Sequence, residues 1–133
     1  MRFALHWGLS NAARIHTADD LDTILGVLTT VRGRDGAPYA VDLLPAGALD
    51  GGLQIGVGHP HRAFVLALDA VGGYAVDPEL PPWPEPIVFD CGHDVLDFKP
   101  AWTRVNPDTA IAAAREYVRT GVRPVALSFD PNA

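Results

Sequence analysis

A proline-dense stretch limits what the middle of this chain can fold into. Residues 78–86 contain five of the twelve prolines, and Trp83 lies among them between Glu79 and Glu85. Proline fixes its own φ angle and has no backbone N–H, so such a stretch forms neither an α-helix nor a central β-strand. We therefore expect an ordered, semi-rigid loop that presents a tryptophan between acidic side chains.

The segment before this loop contains one helix among several strand-like runs. The helix is predicted to begin after Thr17, with Asp20 completing its cap, and to continue to Val31 before Gly33 ends it. A polar turn is expected between the first strand and this helix. The strand-like runs, separated by turn residues, cover 2–7, 39–44, 53–57, 62–71 and 74–76.

The segment after the loop predicts a hairpin, a second helix and a closing strand. The hairpin pairs residues 87–90 with 95–98, and the closing strand covers 125–129. Asn106 and Pro107 begin the helix and Gly121 ends it. This order predicts an α+β fold: a largely antiparallel sheet, arranged as a meander, with two α-helices packed against it. We expect a single domain over residues 1–133.

Negative charge is concentrated in one segment. The chain has sixteen acidic and ten basic residues, but residues 63–98 contain seven acidic residues and no lysine or arginine. Net negative charge disfavours direct binding to nucleic acid or to an anionic membrane and suits a positively charged partner. The alternative is a solvated acidic surface that serves only solubility.

Cysteine content and hydropathy indicate the compartment. Cys91 is the single cysteine, so no intrachain disulfide can form. No apolar run reaches the roughly 18 residues of a membrane span, and the N-terminal residues contain no signal-peptide apolar region. We expect a soluble, cytoplasmic protein.

Candidate catalytic and metal-binding residues form incomplete sets. His59 and His61 could offer two imidazoles to a metal, but zinc sites normally use three or four protein ligands. Cys91 and His93 suggest a nucleophile and a base, yet the acidic residues around them would raise the pKa of the thiol. Gly56 and Gly58 are half of a dinucleotide-binding motif that is not completed. We therefore predict no enzyme activity, no cofactor and no metal site.

The proline-dense loop and its surroundings favour a role in binding a protein partner. A stiff loop loses little entropy on binding, and tryptophan is a frequent interface anchor. Trp83 could equally fold back over the sheet as a lid on the core. The predicted partner-binding residues are Glu79, Trp83, Glu85, Asp90, Asp94 and Asp97.

Three stretches resemble a family of bacterial immunity proteins from polymorphic toxin systems, the one often encoded beside deaminase-type toxins. They are TADDLDTIL at 17–25, LQIGVG at 53–58, and AAAREYVRTGVRP at 112–124. The family tends to have tryptophan near the end of the closing strand, where this chain has Phe129. The stretch from Asp77 to Trp102 contains no motif of the family, as expected of a partner-specific surface.

The resemblance implies a cytoplasmic inhibitor that covers the active site of a cognate toxin. A deaminase toxin must attract nucleic acid, so the rim of its active site should be basic and complementary to an acidic inhibitor. Two other functions stay open: a small-molecule-binding domain, which requires a sizeable apolar pocket, and a hydrolase that uses Cys91 and His93.

Overall fold

An antiparallel sheet organises the computed structural model, which describes residues 2–47 and 50–133. Its seven strands are β1 Phe3–Trp7, β2 Asn11–Ile15, β3 Ala40–Pro45, β4 Leu53–Gly56, β5 Val65–Ala67, β6 Tyr74–Val76 and β9 Ser128–Asp130. Within this described part, the strands pair in the order β2-β1-β3-β4-β5-β6-β9, and every neighbouring pair is antiparallel. Strands β3 to β6 follow one another as a meander.

Two α-helices cover one face of this sheet. Helix α1 spans Ala18–Leu28 and begins with a capping box, in which Thr17 and Asp20 each accept a backbone hydrogen bond from the other. Helix α2 spans Pro107–Thr120 and ends at Gly121, whose left-handed φ of 73° suits glycine. The helices bury aliphatic side chains and Tyr117 against β1, β3 and β4, which forms the larger core.

A two-stranded hairpin covers part of the opposite face. Its strands are β7, Ile87–Asp90, and β8, Val95–Phe98. A smaller, mostly aromatic core lies between hairpin and sheet, where the Phe64 ring stacks on Phe98 at 4.3 Å and meets Phe89 edge-on at 5.0 Å. The hairpin approaches the sheet at Gly56, where an added Cβ would lie 2.6 Å from ring atoms of both Phe64 and Phe89.

The α+β prediction is confirmed, with two helices packed on a large antiparallel sheet. The polar turn predicted before α1 is wrong in part, because residues 11–15 form β2. This run, NAARI, lacks the alternation of apolar residues that marks a strand, and it is ordered by pairing along β1.

Three elements also differ from the predictions by more than one residue. Helix α1 ends at Leu28 and not at Val31, since the Thr29 and Thr30 hydroxyls donate back to carbonyls of the last turn. The strand predicted over 62–71 is reduced to Val65–Ala67, and the turn after it is one in which Asp69 accepts two backbone N–H groups. The closing strand is shifted to Ser128–Asp130.

We predict that Gly56→Ala destabilises the fold by about 1–3 kcal/mol, the usual cost of overpacking a core. The matched control is Gly26→Ala in α1, where an added Cβ would meet nothing within 4 Å. This change should stabilise the helix by about 0.5–1 kcal/mol. Urea denaturation of both variants measures the difference, and equal midpoints would contradict the packing described for the aromatic core.

Candidate partner-binding surface

The proline-dense loop and the hairpin, which form the later part of the segment without lysine or arginine, lie on the sheet face opposite the helices. Trp83 of the proline-dense loop packs against the same aromatic core as Ile87 and Phe98 of the hairpin. Loop and hairpin, residues 77–98, are therefore two parts of one layer, the acidic layer, although the sequence connects them only through Pro84 to Pro86. This layer carries all six residues predicted to bind a partner.

Two arginines from other segments hold the proline-dense loop in place. The Arg62 side chain is buried, with 7% of the residue exposed, and its Nη1 donates to the Pro81 carbonyl at 2.7 Å and the Thr103 carbonyl at 3.1 Å. Arg104 Nε donates to the Leu80 carbonyl at 2.8 Å. Hydrogen bonds from a charged donor contribute about 1.5–3 kcal/mol each. The loop is thus fixed through its backbone carbonyls.

Arg34 and Asp90 fix the hairpin in a reciprocal way. The Arg34 guanidinium donates to the carbonyls of Gly92 at 2.6 Å and His93 at 3.0 Å. In return, the Asp90 carboxylate accepts the backbone N–H of Arg34 at 2.8 Å and that of Gly92 at 2.9 Å. Asp90 is only 4% exposed. Contrary to the prediction, its side chain therefore does not lie on the outer surface. Its carboxylate anchors the hairpin and is not available to a partner.

Of the other six acidic residues, two have local roles. Asp69 accepts bonds from Arg123 at 2.6 and 3.1 Å, and this arginine holds the pKa of the carboxyl below its ordinary value. Asp77 accepts the Glu79 backbone N–H at 2.9 Å in a turn. The remaining four are exposed and make no ion pair with any other residue in the described ranges: Glu79, Glu85, Asp94 and Asp97.

Trp83 is partly buried and lies among cationic and imidazole side chains. Its ring stacks on His61 at 5.8 Å and meets His59 edge-on at 5.6 Å, and the Arg62 guanidinium lies 5.0 Å from its centre. His59 Nδ1 accepts the backbone N–H groups of His61 and Arg62, both at 3.1 Å. Burial, followed by nearby positive groups, lowers the pKa of His59. Trp83 is therefore held in a fixed position, with part of its surface available.

The hairpin also exposes apolar side chains beside its acidic ones. Leu96 is 48% exposed and Val88 is 39% exposed. Val88 lies directly across the hairpin from Asp97, and both point away from the aromatic core. The exposed surface of the hairpin thus combines apolar side chains with carboxylates.

The Cys91 thiol does not have the properties of a catalytic nucleophile. It is half-buried beside the aromatic core, and its Sγ–H donates to the Phe89 carbonyl at 3.8 Å. Burial, followed by Asp42, Asp90 and Asp94, raises its pKa from 9.0 to about 11. The reactive thiolate is thus scarce at neutral pH. His93 is exposed at the hairpin turn.

Metal and small-molecule sites find little support in the geometry. His59 Nδ1 is occupied by backbone donors, and the described residues contain no group of three or more histidine, cysteine or acidic side chains placed to hold a metal ion. A depression of about 320 Å³, lined by Arg2, Arg14 and His16 among others, lies near β1 and β2, away from the acidic layer. This volume is at the lower limit for ligand sites.

A comparison with protein families identifies the family of the chain that carries this layer. The sequence model of the family described as immunity protein Imm1 matches residues 10–131, nearly the whole chain. The chain belongs to the Imm1 family of immunity proteins. The resemblance to immunity proteins noted from the sequence is thereby confirmed, and the partner that such a protein binds is a toxin. No curated protein gives a significant match to the sequence.

Neither α-helix in the described part of this Imm1 protein has the length and apolarity that crossing a membrane requires. The acidic layer is the part of the surface that contains the residues predicted to bind a partner. Sequence reasoning found its exposed carboxylates through the missing basic residues. It missed the arginine contacts, because Arg34, Arg62 and Arg104 bind carbonyls 19 to 59 positions away in the chain.

We predict that Asp90→Asn destabilises the protein by about 1–3 kcal/mol, because the amide NH₂ group cannot accept the backbone N–H that a carboxylate oxygen accepts. Asp97→Asn is the matched control on the same hairpin, since Asp97 is exposed, and it should change stability by no more than about 0.5 kcal/mol. Urea denaturation of the two variants gives the comparison. Equal losses would show that Asp90 does not anchor the hairpin.

Proposed function

We propose that this Imm1 protein inhibits a cognate toxin, a nucleic-acid deaminase, by covering its active site without catalysing any reaction itself. The protein would act in the cytoplasm of the cell that makes the toxin. The observation that carries this proposal is the set of four exposed carboxylates, Glu79, Glu85, Asp94 and Asp97, without ion pairs in the described structure.

Electrostatics explains why such a surface suits this kind of target. A deaminase that acts on a polynucleotide draws in a polyanion and binds the target base in a pocket. Basic side chains around that pocket attract nucleic acid, and they attract a carboxylate-rich protein for the same reason. An inhibitor with exposed carboxylates thus competes with the substrate for one set of charges, and long-range attraction speeds its capture.

Rigidity of the acidic layer supports the same proposal. The arginine bonds hold the loop and the hairpin before any partner arrives. Ordering a mobile loop on binding costs about 0.5–1.5 kcal/mol for each immobilised side chain, and a preformed layer avoids part of this cost. The part of Trp83 that stays exposed would supply an apolar anchor beside the carboxylates.

The decisive experiment uses the toxin domain encoded by the neighbouring gene. This domain should arrest growth when expressed alone in a bacterial host, and co-expression of the Imm1 protein should restore growth. In vitro, the purified toxin should deaminate cytosine or adenine in single-stranded DNA or RNA, and one equivalent of the Imm1 protein should abolish the reaction. A toxin with another activity would refute the deaminase assignment, and failure to restore growth would refute the inhibitor function.

We predict that neutralising Glu79, Glu85 and Asp94 together, as E79Q/E85Q/D94N, mainly lowers the association rate with the toxin and flattens its dependence on salt. The control variant D19N/D108N/E116Q removes the same formal charge from the helix layer on the other sheet face. It should leave the association rate closer to that of the parent. Stopped-flow association at several salt concentrations makes the measurement, and equal effects of both triple variants would contradict a localised acidic interface.

We predict that Trp83→Ala shortens the lifetime of the complex, at a cost of about 2 kcal/mol in binding if Trp83 is a hot spot. Since Trp83 also packs on the aromatic core, the melting temperature of the free protein should fall modestly. Dissociation kinetics and thermal unfolding separate the two roles. A lower melting temperature with an unchanged dissociation rate would identify Trp83 as a lid alone.

A further inference from the structure

The outer edge of β8 is an unpaired strand edge within the acidic layer. We propose that an extended segment of the toxin adds to the hairpin along β8 as a third strand, with basic residues alternating with apolar ones. This proposal rests on the proposed function and names the contact by which the two proteins would bind. It follows from the hydrogen-bond pattern of the hairpin, its side chains and its charge.

The hydrogen-bond pattern shows which backbone groups of β8 point outward. The Cys91 N–H donates to the Asp94 carbonyl at 2.9 Å, so bonded and non-bonded pairs alternate from that point along the hairpin. Phe89 with Leu96 is then a bonded pair, while Asp90 with Val95 and Val88 with Asp97 are non-bonded pairs. The backbone N–H and C=O groups of Val95 and Asp97 therefore face away from β7.

The other edge of the hairpin confirms this alternation and is itself occupied. The Asp90 N–H points away from β8 and donates to the Pro38 carbonyl at 2.8 Å, as expected of a residue in a non-bonded pair. Asp90 also forms a parallel bridge with Tyr39, which ties β7 to the segment that enters β3. Within the described residues β8 has no partner strand except β7.

Side chains along β8 determine what kind of strand fits there. Leu96 shares a face with the fully buried Phe89, yet it remains 48% exposed because no strand flanks it. An apolar residue of an added strand would cover it. Asp97 lies on the other face, so the neighbouring position of the added strand suits lysine or arginine. Such an alternating basic and apolar segment matches the main-chain recognition known as strand addition.

Charge argues against a second copy of this chain as the occupant. Two β8 edges paired with each other would bring the exposed Asp94 and Asp97 of one copy near those of the other. Like charges close together across strands are destabilising, and acidic residues at an edge are a known device against self-association. A basic strand from the toxin meets no such repulsion.

Amide hydrogen exchange tests this contact directly. NMR spectra of the Imm1 protein, free and bound to a catalytically inactive form of the neighbouring toxin domain, would follow each β8 amide. Exchange at Val95 and Asp97 should slow by about tenfold or more on binding, since their N–H groups gain acceptors. Leu96, which already donates within the hairpin, should change little. The outward-facing Ala12 and Arg14 amides of β2, a strand at the edge of the main sheet, serve as the reference for a site that stays free.

A pair of variants isolates the backbone donor. Val95→Pro removes the outward N–H at the first residue of β8, a position where an edge strand tolerates proline, whereas Val95→Ala keeps it. Loss of one interfacial hydrogen bond should weaken the complex by about tenfold relative to Val95→Ala. The exchange measurement on the parent protein keeps the test valid if Val95→Pro unfolds.

Each remaining result has a distinct meaning. A complex that forms with unchanged exchange at Val95 and Asp97 would overturn strand addition and leave the inhibitor function intact. Slow exchange of these amides in the free protein at high concentration would assign the edge to a second copy and overturn the toxin as occupant. Absence of any complex would overturn the inhibitor function together with this contact.

Discussion

Hydrogen bonds from arginine side chains to backbone carbonyls hold the acidic layer on its sheet. Arg34 binds the hairpin turn, and Arg62 and Arg104 bind the proline-dense loop. A guanidinium that binds carbonyls satisfies its donors without using a carboxylate. The exposed acidic residues thus keep their charge available, although arginines lie close by in space. The backbone carbonyls anchor the segment, while the carboxylates carry its negative charge. The same segment can therefore be both firmly held and strongly acidic.

The two faces of the sheet divide these tasks. Aliphatic residues and two capped helices form the larger core on one face, and the acidic layer depends on a smaller aromatic core on the other. Because Gly56 has no side chain, the Phe64 and Phe89 rings pack directly against the sheet backbone there. A few aromatic rings thus hold the hairpin on the sheet. The two cores share no residue, so each face of the sheet is packed by its own set of side chains.

Local signals in the sequence predicted the elements that depend on neighbouring residues. Helix α2 follows from its Asn106 cap and from Gly121 at its end, and the capping box of α1 follows from Thr17 and Asp20. Strand β2 could not be predicted in this way, because NAARI becomes a strand only by pairing with β1. Asp90 looks like any other acidic residue in the sequence, and only the fold shows that its carboxylate is buried against the backbone of Arg34.

The sequence by itself determined the α+β class, the stiff loop around Trp83, the base-free acidic segment and the immunity-protein family. These depend on composition, short-range spacing and motifs, which a linear chain displays in full. Only the tertiary structure decided which carboxylates remain exposed, which arginines anchor them and which strand edge stays open. Those properties arise from contacts between residues far apart in the chain, such as Arg34 with Gly92 or Arg62 with Pro81. Such contacts cannot be deduced from positions in the sequence, because it is the folded sheet that brings these segments together.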